Sequence, residues 1–129
     1  MMGLRSRLDT LAYSAMRVVV AVLYLAHGLR WLFGVFGGPR AHLFSLFWAA
    51  GMIETTCGTL VALGIYAAPA AFVASGEMAV AYFIAHAPRG SLPIRNGGEL
   101  AVTFCFVFLY IAMHGAGPLN VNRLRRRNA

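Results

Sequence analysis

The stretch LAYSAMRVVVAVLYLAHGLRWLFGVF, residues 11–36, decides the fold. It is longer than the roughly 20 predominantly apolar residues that a helix needs to cross a hydrocarbon core of about 30 Å. Because backbone amides in lipid must be satisfied within their own segment, the stretch is predicted to be a transmembrane helix. It is also longer than the core of a secretory signal peptide and lacks a clear cleavage site, so we expect it to remain on the protein.

Three further hydrophobic segments follow, and glycine or proline residues mark their ends. They cover about residues 42–65, 69–87 and 98–115. Because the connections are short, sequential helices are expected to be antiparallel neighbours. The prediction is an all-α, up-down transmembrane four-helix bundle. Its helices, at about residues 11–36, 42–65, 69–87 and 98–115, form a single membrane domain over residues 1–129.

The composition is typical of a membrane protein. The chain has 129 residues, of which 60% are hydrophobic and 12% are charged, and its mean hydropathy is +0.69. An average soluble domain has about 25% charged residues, so this composition is not that of a water-soluble domain. The formal charge of +7 includes four arginines in the C-terminal tail. We attribute this charge to anionic lipid and membrane topology, and we expect no nucleic-acid partner.

The distribution of arginine predicts the orientation. An even number of crossings places both termini on one side, where Arg5, Arg7 and the tail arginines collect. Arg40, Arg89 and Arg95 lie on the other side. By the positive-inside rule, the termini are expected to be cytoplasmic in a multi-pass protein of a bacterial-type plasma membrane.

Several ionisable side chains fall within the hydrophobic segments, where a charge costs several kcal/mol and normally faces the bundle interior. They are Arg17, His27, Arg30, Glu54, Glu77, His86, Glu99 and His114. Heights counted at about 1.5 Å per residue predict two polar layers. The deeper layer is a buried ion network of Arg17, Glu54 and Glu77. It is interpreted either as a charge-compensated cluster that holds three helices together or as a group that binds and transfers protons.

The outer layer is the candidate functional site. It combines His27, His86 and Glu99, the candidate catalytic residues, with the guanidinium of Arg30. The adjoining loops contribute His42, Arg89, Arg95 and Asn96. Such a mixture can orient an acidic or carbonyl headgroup and exchange a proton with it near neutral pH. The alternative is that these side chains only satisfy one another's hydrogen bonds near the membrane surface and have no functional role.

Helical periodicity adds candidate ligand-binding residues. At about 100° per residue, Met78, Tyr82 and His86 share one stripe, whereas Glu77 and His86 are predicted to lie on opposite sides of their helix. Thr103 and Tyr110 share a stripe with Glu99. The predicted ligand contacts are Arg30, Tyr82, Met78, Thr103 and Tyr110.

No metal site is predicted. Four histidines and three intramembrane glutamates in a helical bundle invite comparison with haem and carboxylate-bridged metal sites. However, no Glu-x-x-His motif is present and each histidine stands on a different element. Cys57 and Cys105 lack the close spacing of a redox pair and are interpreted as packing residues.

The order of these motifs resembles the DoxX family of small four-helix membrane proteins. The matching residues are Arg17, the run from His27 to Phe33, Glu54 with Gly58, Met78, Ala81, His86, Glu99 and the run from Gly117 to Asn122. Arg30 stands where the family often has lysine, and Asn120 and Asn122 stand where it often has serine and aspartate. The likeness covers most of the chain, so these departures do not affect the predicted architecture. They affect the chemistry expected at the ligand headgroup.

The resemblance implies a link to quinones. The family takes its name from a subunit of an archaeal thiosulfate:quinone oxidoreductase, and some bacterial members look like membrane partners of thiol and oxidative-stress enzymes. The leading hypothesis is therefore a membrane subunit of a redox system that binds a quinone-like or other lipid-soluble ligand between its helices. His27 and His86 would hold or protonate its polar end. Because the chain has no cofactor motif, a partner redox protein would carry the electrons, and homo-oligomerisation is a further option.

Other classes of function stay open at this point. A small proton-coupled transporter or channel would use the intramembrane carboxyl groups to bind protons or a cationic solute. A stand-alone intramembrane enzyme would act on a lipid through glutamate and histidine as acid and base. A scaffolding protein would need neither histidine. Whether the chain is catalytic by itself is left undecided.

Overall fold

The computed structural model describes residues 3–129, and within them every regular element is a helix. The all-α class is therefore confirmed. The helices are α1 (Leu4–Phe33), α2 (Leu46–Leu63), α3 (Ala67–Ala81), α4 (Pro93–Asn96), α5 (Glu99–His114) and α6 (Val121–Asn128). A π-helical turn, Tyr82–His86, and a 3₁₀ turn, Ala87–Arg89, extend α3.

Three of these segments are long and apolar enough to cross a membrane: Leu4–Phe33, Leu46–Leu63 and Ala67–Arg89. The fourth apolar helix, α5, has 16 residues and is shorter. The three spans show an integral membrane protein, because a soluble fold would not leave so much apolar helix surface uncovered. Much of α1, for example, faces outward with exposed valine and leucine side chains.

The ends of the first two long helices differ from those read off the hydrophobic runs. Helix α1 begins at Leu4, because the polar residues before Leu11 also adopt helical geometry. It ends before Gly34, whose positive φ of 69° and N–H bond to the Arg30 carbonyl form a left-handed C-cap. Helix α2 begins only after Ser45, whose hydroxyl accepts a 3.2 Å bond from the Trp48 N–H.

Helices α1 and α2 run in opposite directions. Arg17, in the first half of α1, contacts Val61 near the end of α2. Trp31, near the end of α1, stacks on Phe47 at the start of α2, with ring centroids 4.6 Å apart.

Helix α5 closes the core against α3 and α1. The Ser75 hydroxyl of α3 donates to the Cys105 carbonyl at 2.7 Å. On the other side, the fully buried ring of Tyr24 lies 4.7 Å from the ring of Phe108. These contacts place aromatic side chains of α1 and α5 at the centre of the molecule.

Glycines allow α1 and α2 to approach closely. A Cβ atom added at Gly28 would lie 2.6 Å from the Thr55 backbone nitrogen, and one at Gly58 would lie 3.0 Å from the Leu25 Cβ. Gly51 faces the Trp31 Cβ in the same way. In lipid, helix association depends on such close packing, because apolar burial gives little driving force there.

Gly28→Ala should therefore destabilise the protein by about 1–3 kcal/mol, because the new methyl group meets backbone that cannot move aside. Thermal unfolding in detergent measures the effect. Gly76→Ala is the matched control, since nothing lies within 4 Å of that position and the helix gains a better helix former. Equal stability of the two variants would contradict the close-approach interpretation.

Candidate functional site

A cavity of about 610 Å³ lies between α1, α2, α3 and α5. This volume falls within the range of pockets that bind small molecules. Most of its lining is aliphatic or aromatic. Its polar lining residues are Tyr24, His27, Arg30, Glu54, Glu77 and His86.

The walls that α2 and α3 contribute to the cavity include exposed apolar residues. These helices are tied at one end by the short link 64–66. Toward their other ends the walls are formed by Leu46 and Phe47 of α2 and by Val80 and Ile84 beyond the middle of α3, all about half exposed. Because these exposed walls are apolar in a membrane protein, the gap opens toward lipid.

The π-helical turn brings His86 to the cavity. Nine residues of regular α-helix would place Glu77 and His86 about 180° apart, as the sequence predicts. The π turn, closed by the Ala87 N–H bond to the Tyr82 carbonyl, adds one residue to the turn and reduces the separation to about 80°. Both side chains consequently line the same cavity, and the prediction of opposite sides is wrong.

The loop before α5 orients His86. The His86 Nδ1 atom lies 3.2 Å from the Asn96 carbonyl oxygen, which only accepts hydrogen bonds. Nδ1 therefore carries the proton, and Nε2 is left as an acceptor in the neutral ring.

Asn96, which the sequence places on a loop adjoining the outer layer, is a positioning residue in the structure. Its side chain is 2% exposed and donates to the Tyr82 hydroxyl at 3.1 Å and to the Gly90 carbonyl at 2.9 Å. Its amide oxygen accepts from the Gly98 N–H at 2.8 Å. Its position before two glycines indicates a turn, but the sequence does not give its bonds to Tyr82 and Gly90.

Glu54 and Glu77 lie on facing walls of the cavity. Glu77 Oε2 accepts a 3.0 Å bond from the Tyr24 hydroxyl. Glu54 is 4% exposed, and its Oε2 has no partner among residues 3–129. Because a Cβ on Gly28 would lie 2.9 Å from the Glu54 Cβ, Glu54 is level with Gly28 and hence with His27.

The two predicted polar layers therefore merge on this side of the bundle. Glutamates assigned to the deeper layer share one cavity with histidines assigned to the outer layer. Counting heights from the hydrophobic runs failed because α2 begins at Leu46 and not near His42. The late start moves Glu54 toward the end of the molecule that carries His27.

Arg17 is not part of this site, and its predicted pairing with Glu54 and Glu77 is corrected. Its guanidinium is 2% exposed and donates to the carbonyl oxygens of Val61 at 2.5 Å, Ala62 at 2.9 Å and Leu119 at 2.5 Å. The Val61 and Ala62 carbonyls belong to the last turn of α2, where carbonyl groups carry partial negative charge, and Leu119 lies before α6. Arg17 therefore joins α1 to the end of α2 and to the segment before α6.

The remaining predicted site residues divide between the cavity and the outer surface. Met78 lines the cavity. Glu99 is exposed at the start of α5, and the Thr103 hydroxyl donates to its carbonyl at 2.9 Å. Tyr110 stacks on His114, with centroids 4.0 Å apart, near the opposite end of α5. The structure therefore does not bring Glu99, Thr103 or Tyr110 to the cavity, and Tyr82 supports it through Asn96.

No group of three or more possible metal-binding side chains occurs within the described residues 3–129. The cavity instead combines aliphatic walls with two imidazole rings, one guanidinium and two carboxyl groups. Chemically, such a set can accept and donate hydrogen bonds and exchange protons with a bound molecule.

Apolar spanning helices around a cavity of this kind define a small integral membrane protein with an intramembrane site. The DoxX family model matches residues 12–87, more than half of the chain. The chain belongs to the DoxX family. An uncharacterized protein of Haemophilus influenzae is 41% identical over 79% of this chain and 81% of its own length. No solved structure matches the chain.

Arg17→Met should lower the free energy of unfolding by at least about 2 kcal/mol, because three carbonyl oxygens lose a charged donor. Thermal unfolding in detergent would show the loss. Arg5→Met, at an exposed position of α1, is the matched control. An unchanged melting temperature for Arg17→Met would mean that these bonds do not hold the two helices together.

Proposed function

We propose that this DoxX-family protein binds a quinone-like or other lipid-soluble ligand between its helices and serves as a membrane subunit of a redox system. The observation that carries the proposal is the cavity, which combines an apolar interior with a few polar groups. This combination suits a molecule that has an apolar body and a polar end. The lipid-facing gap between α2 and α3 gives such a molecule a route that avoids water.

The polar end of the ligand lies near His27 and His86 in this proposal. The Asn96 carbonyl engages Nδ1 of His86, so Nε2 is the ring nitrogen left to face a ligand. The His27 ring packs edge-on to Phe104, with centroids 6.2 Å apart, which restricts its rotation. Arg30 lines the same cavity and would bind a carbonyl or anionic oxygen.

The redox part of the proposal comes from kinship with the DoxX family. A quinone is the proposed cofactor, and the chain itself would not carry electrons beyond it. A partner redox protein would then deliver or remove them, while this subunit binds and orients the lipid-soluble molecule.

We propose four membrane crossings with both termini in the cytoplasm of a bacterial cell, as an up-down four-helix bundle. Helix α5 packs against α3 and is apolar, and its 16 residues are close to the lower limit for a span. The flanking loop before α5 and the α6 arginines would then lie on opposite sides of the membrane.

The crossing number can be measured with single cysteines introduced at three exposed positions. An impermeant maleimide added to intact spheroplasts should label Ser91→Cys, while Ser6→Cys and Asn128→Cys should react only after lysis. The native cysteines lie within helices, and the unmodified chain gives the background. Labelling of Asn128→Cys without Ser6→Cys would indicate an odd number of crossings.

Ligand binding can be measured by mass spectrometry of small molecules that co-purify in mild detergent. His86→Ala should lower the amount of ligand per protein about tenfold, which corresponds to the loss of about one hydrogen bond. His114→Ala is the matched control, because His114 lies outside the cavity. Val80→Trp should also exclude the ligand by filling the cavity, whereas Val22→Trp, on the outer face of α1, should not.

A bound molecule that does not depend on His86 would overturn the assignment of the polar end. Glu54 and Glu77, on one cavity, make a proton-coupled transporter the second candidate. That function is favoured if flux into proteoliposomes is lost in Glu54→Gln and Glu77→Gln but unaffected by His86→Ala. Glu99→Gln, an exposed glutamate outside the cavity, serves as control.

A further inference from the structure

Glu54 is a buried carboxyl group without a protein partner. It is 4% exposed, it lines the cavity, and its Oε2 has no hydrogen bond from any residue in 3–129. A buried polar atom left unpaired is strongly unfavourable, and such atoms are rare in native proteins. An unpaired carboxyl on a cavity wall is therefore a position where a bound molecule supplies the missing partner.

The fold prevents Glu54 from turning away from the cavity at low cost. Its backbone is packed against α1, where a Cβ on Gly28 would lie 2.9 Å from the Glu54 Cβ. Gly51 and Gly58, one turn before and after it, contact α1 in the same interface. The position of the Glu54 side chain is thus set by the close contact between α1 and α2 at Gly28.

Two side chains that could pair with Glu54 donate to other groups. The Tyr24 hydroxyl has one proton, and it donates that proton to Glu77. Arg17, the counter-ion that the sequence suggests, donates to two carbonyl oxygens at the other end of α2 and to the Leu119 carbonyl. Glu77 accepts the Tyr24 proton, so neither Tyr24 nor Arg17 supplies a hydrogen bond to Glu54.

We infer that Glu54 binds a hydrogen-bond donor, an O–H or N–H group, carried by the lipid-soluble ligand; of the two forms of a quinone, only the reduced one has such a group. This inference rests on the proposed function and adds the class of ligand to it. The ligand has an apolar body that enters between α2 and α3, and a hydroxyl or amine group that reaches the Glu54 carboxyl group. Ligands of the same shape that lack a donor leave Oε2 unpaired and bind more weakly.

The test uses the full chain in nanodiscs and three probes with the same alkyl chain. The probes are 1-dodecanol, 1-dodecylamine and dodecyl methyl ether, each radiolabelled, with empty nanodiscs as background. The wild type should bind the alcohol or the amine about tenfold more tightly than the ether, which has no donor. The alcohol and amine arms distinguish a neutral donor from a cationic one, and a preference for either supports the inference.

Glu54→Leu should reduce this preference to less than about twofold, while binding of the ether is kept or improved. Glu99→Leu, which replaces an exposed carboxyl outside the cavity, should bind like the wild type. The melting temperature of ligand-free Glu54→Leu should rise, because an unpaired buried carboxyl is removed. A lower melting temperature would show that Glu54 has a structural partner, and the inference would then fail.

The same measurements separate this inference from the function on which it rests. If the wild type binds all three probes equally and Val80→Trp abolishes their binding, the cavity binds lipid-soluble molecules but Glu54 does not select donors. That result overturns the inference and leaves the proposed function standing. If no probe binds and no molecule co-purifies, both are overturned.

Discussion

The close approach of α1 and α2 at Gly28 is the constraint on which the rest of the structure depends. A bilayer offers little hydrophobic reward for bringing two apolar helices together, so backbone contact and polar groups must provide the specificity. Gly28 lies against Thr55 and Glu54, and the glycines of α2 meet α1 along the same line. This contact sets the height and direction of Glu54. It therefore determines where the Glu54 carboxyl group lies in the cavity.

A second constraint is the link between α2 and α3. Residues 64–66 join these helices tightly at one end, and the cavity is lined by residues in their middle and toward their other ends. Arg17 reinforces the tied end by donating to carbonyls at and beyond the end of α2. The closed end thus carries the charge-assisted bonds that hold helices together, and the open end carries the groups available to a ligand.

The π turn at Tyr82–His86 shows how a small backbone irregularity changes a site. One additional residue in a turn rotates every later side chain of the helix by about 100°. Without that rotation His86 would face away from Glu77, and the cavity would lose one of its imidazole rings. Asn96 holds the rotated ring through its carbonyl oxygen and is itself held by Gly90 and Tyr82.

The sequence by itself determined the solvent and the class of structure, because runs of apolar residues longer than a bilayer leave only helices as spanning elements. It also identified His27, His86, Glu54 and Glu77 as the polar groups inside those helices. Only the tertiary structure decided which of them meet. The start of α2, the π turn and the engagement of Arg17 by backbone carbonyls depend on capping and on contacts between segments distant in sequence. Hydrophobic periodicity does not encode such contacts. The two polar layers predicted from the sequence are therefore one cavity in the structure, and Arg17 lies apart from it, bonded to backbone carbonyls.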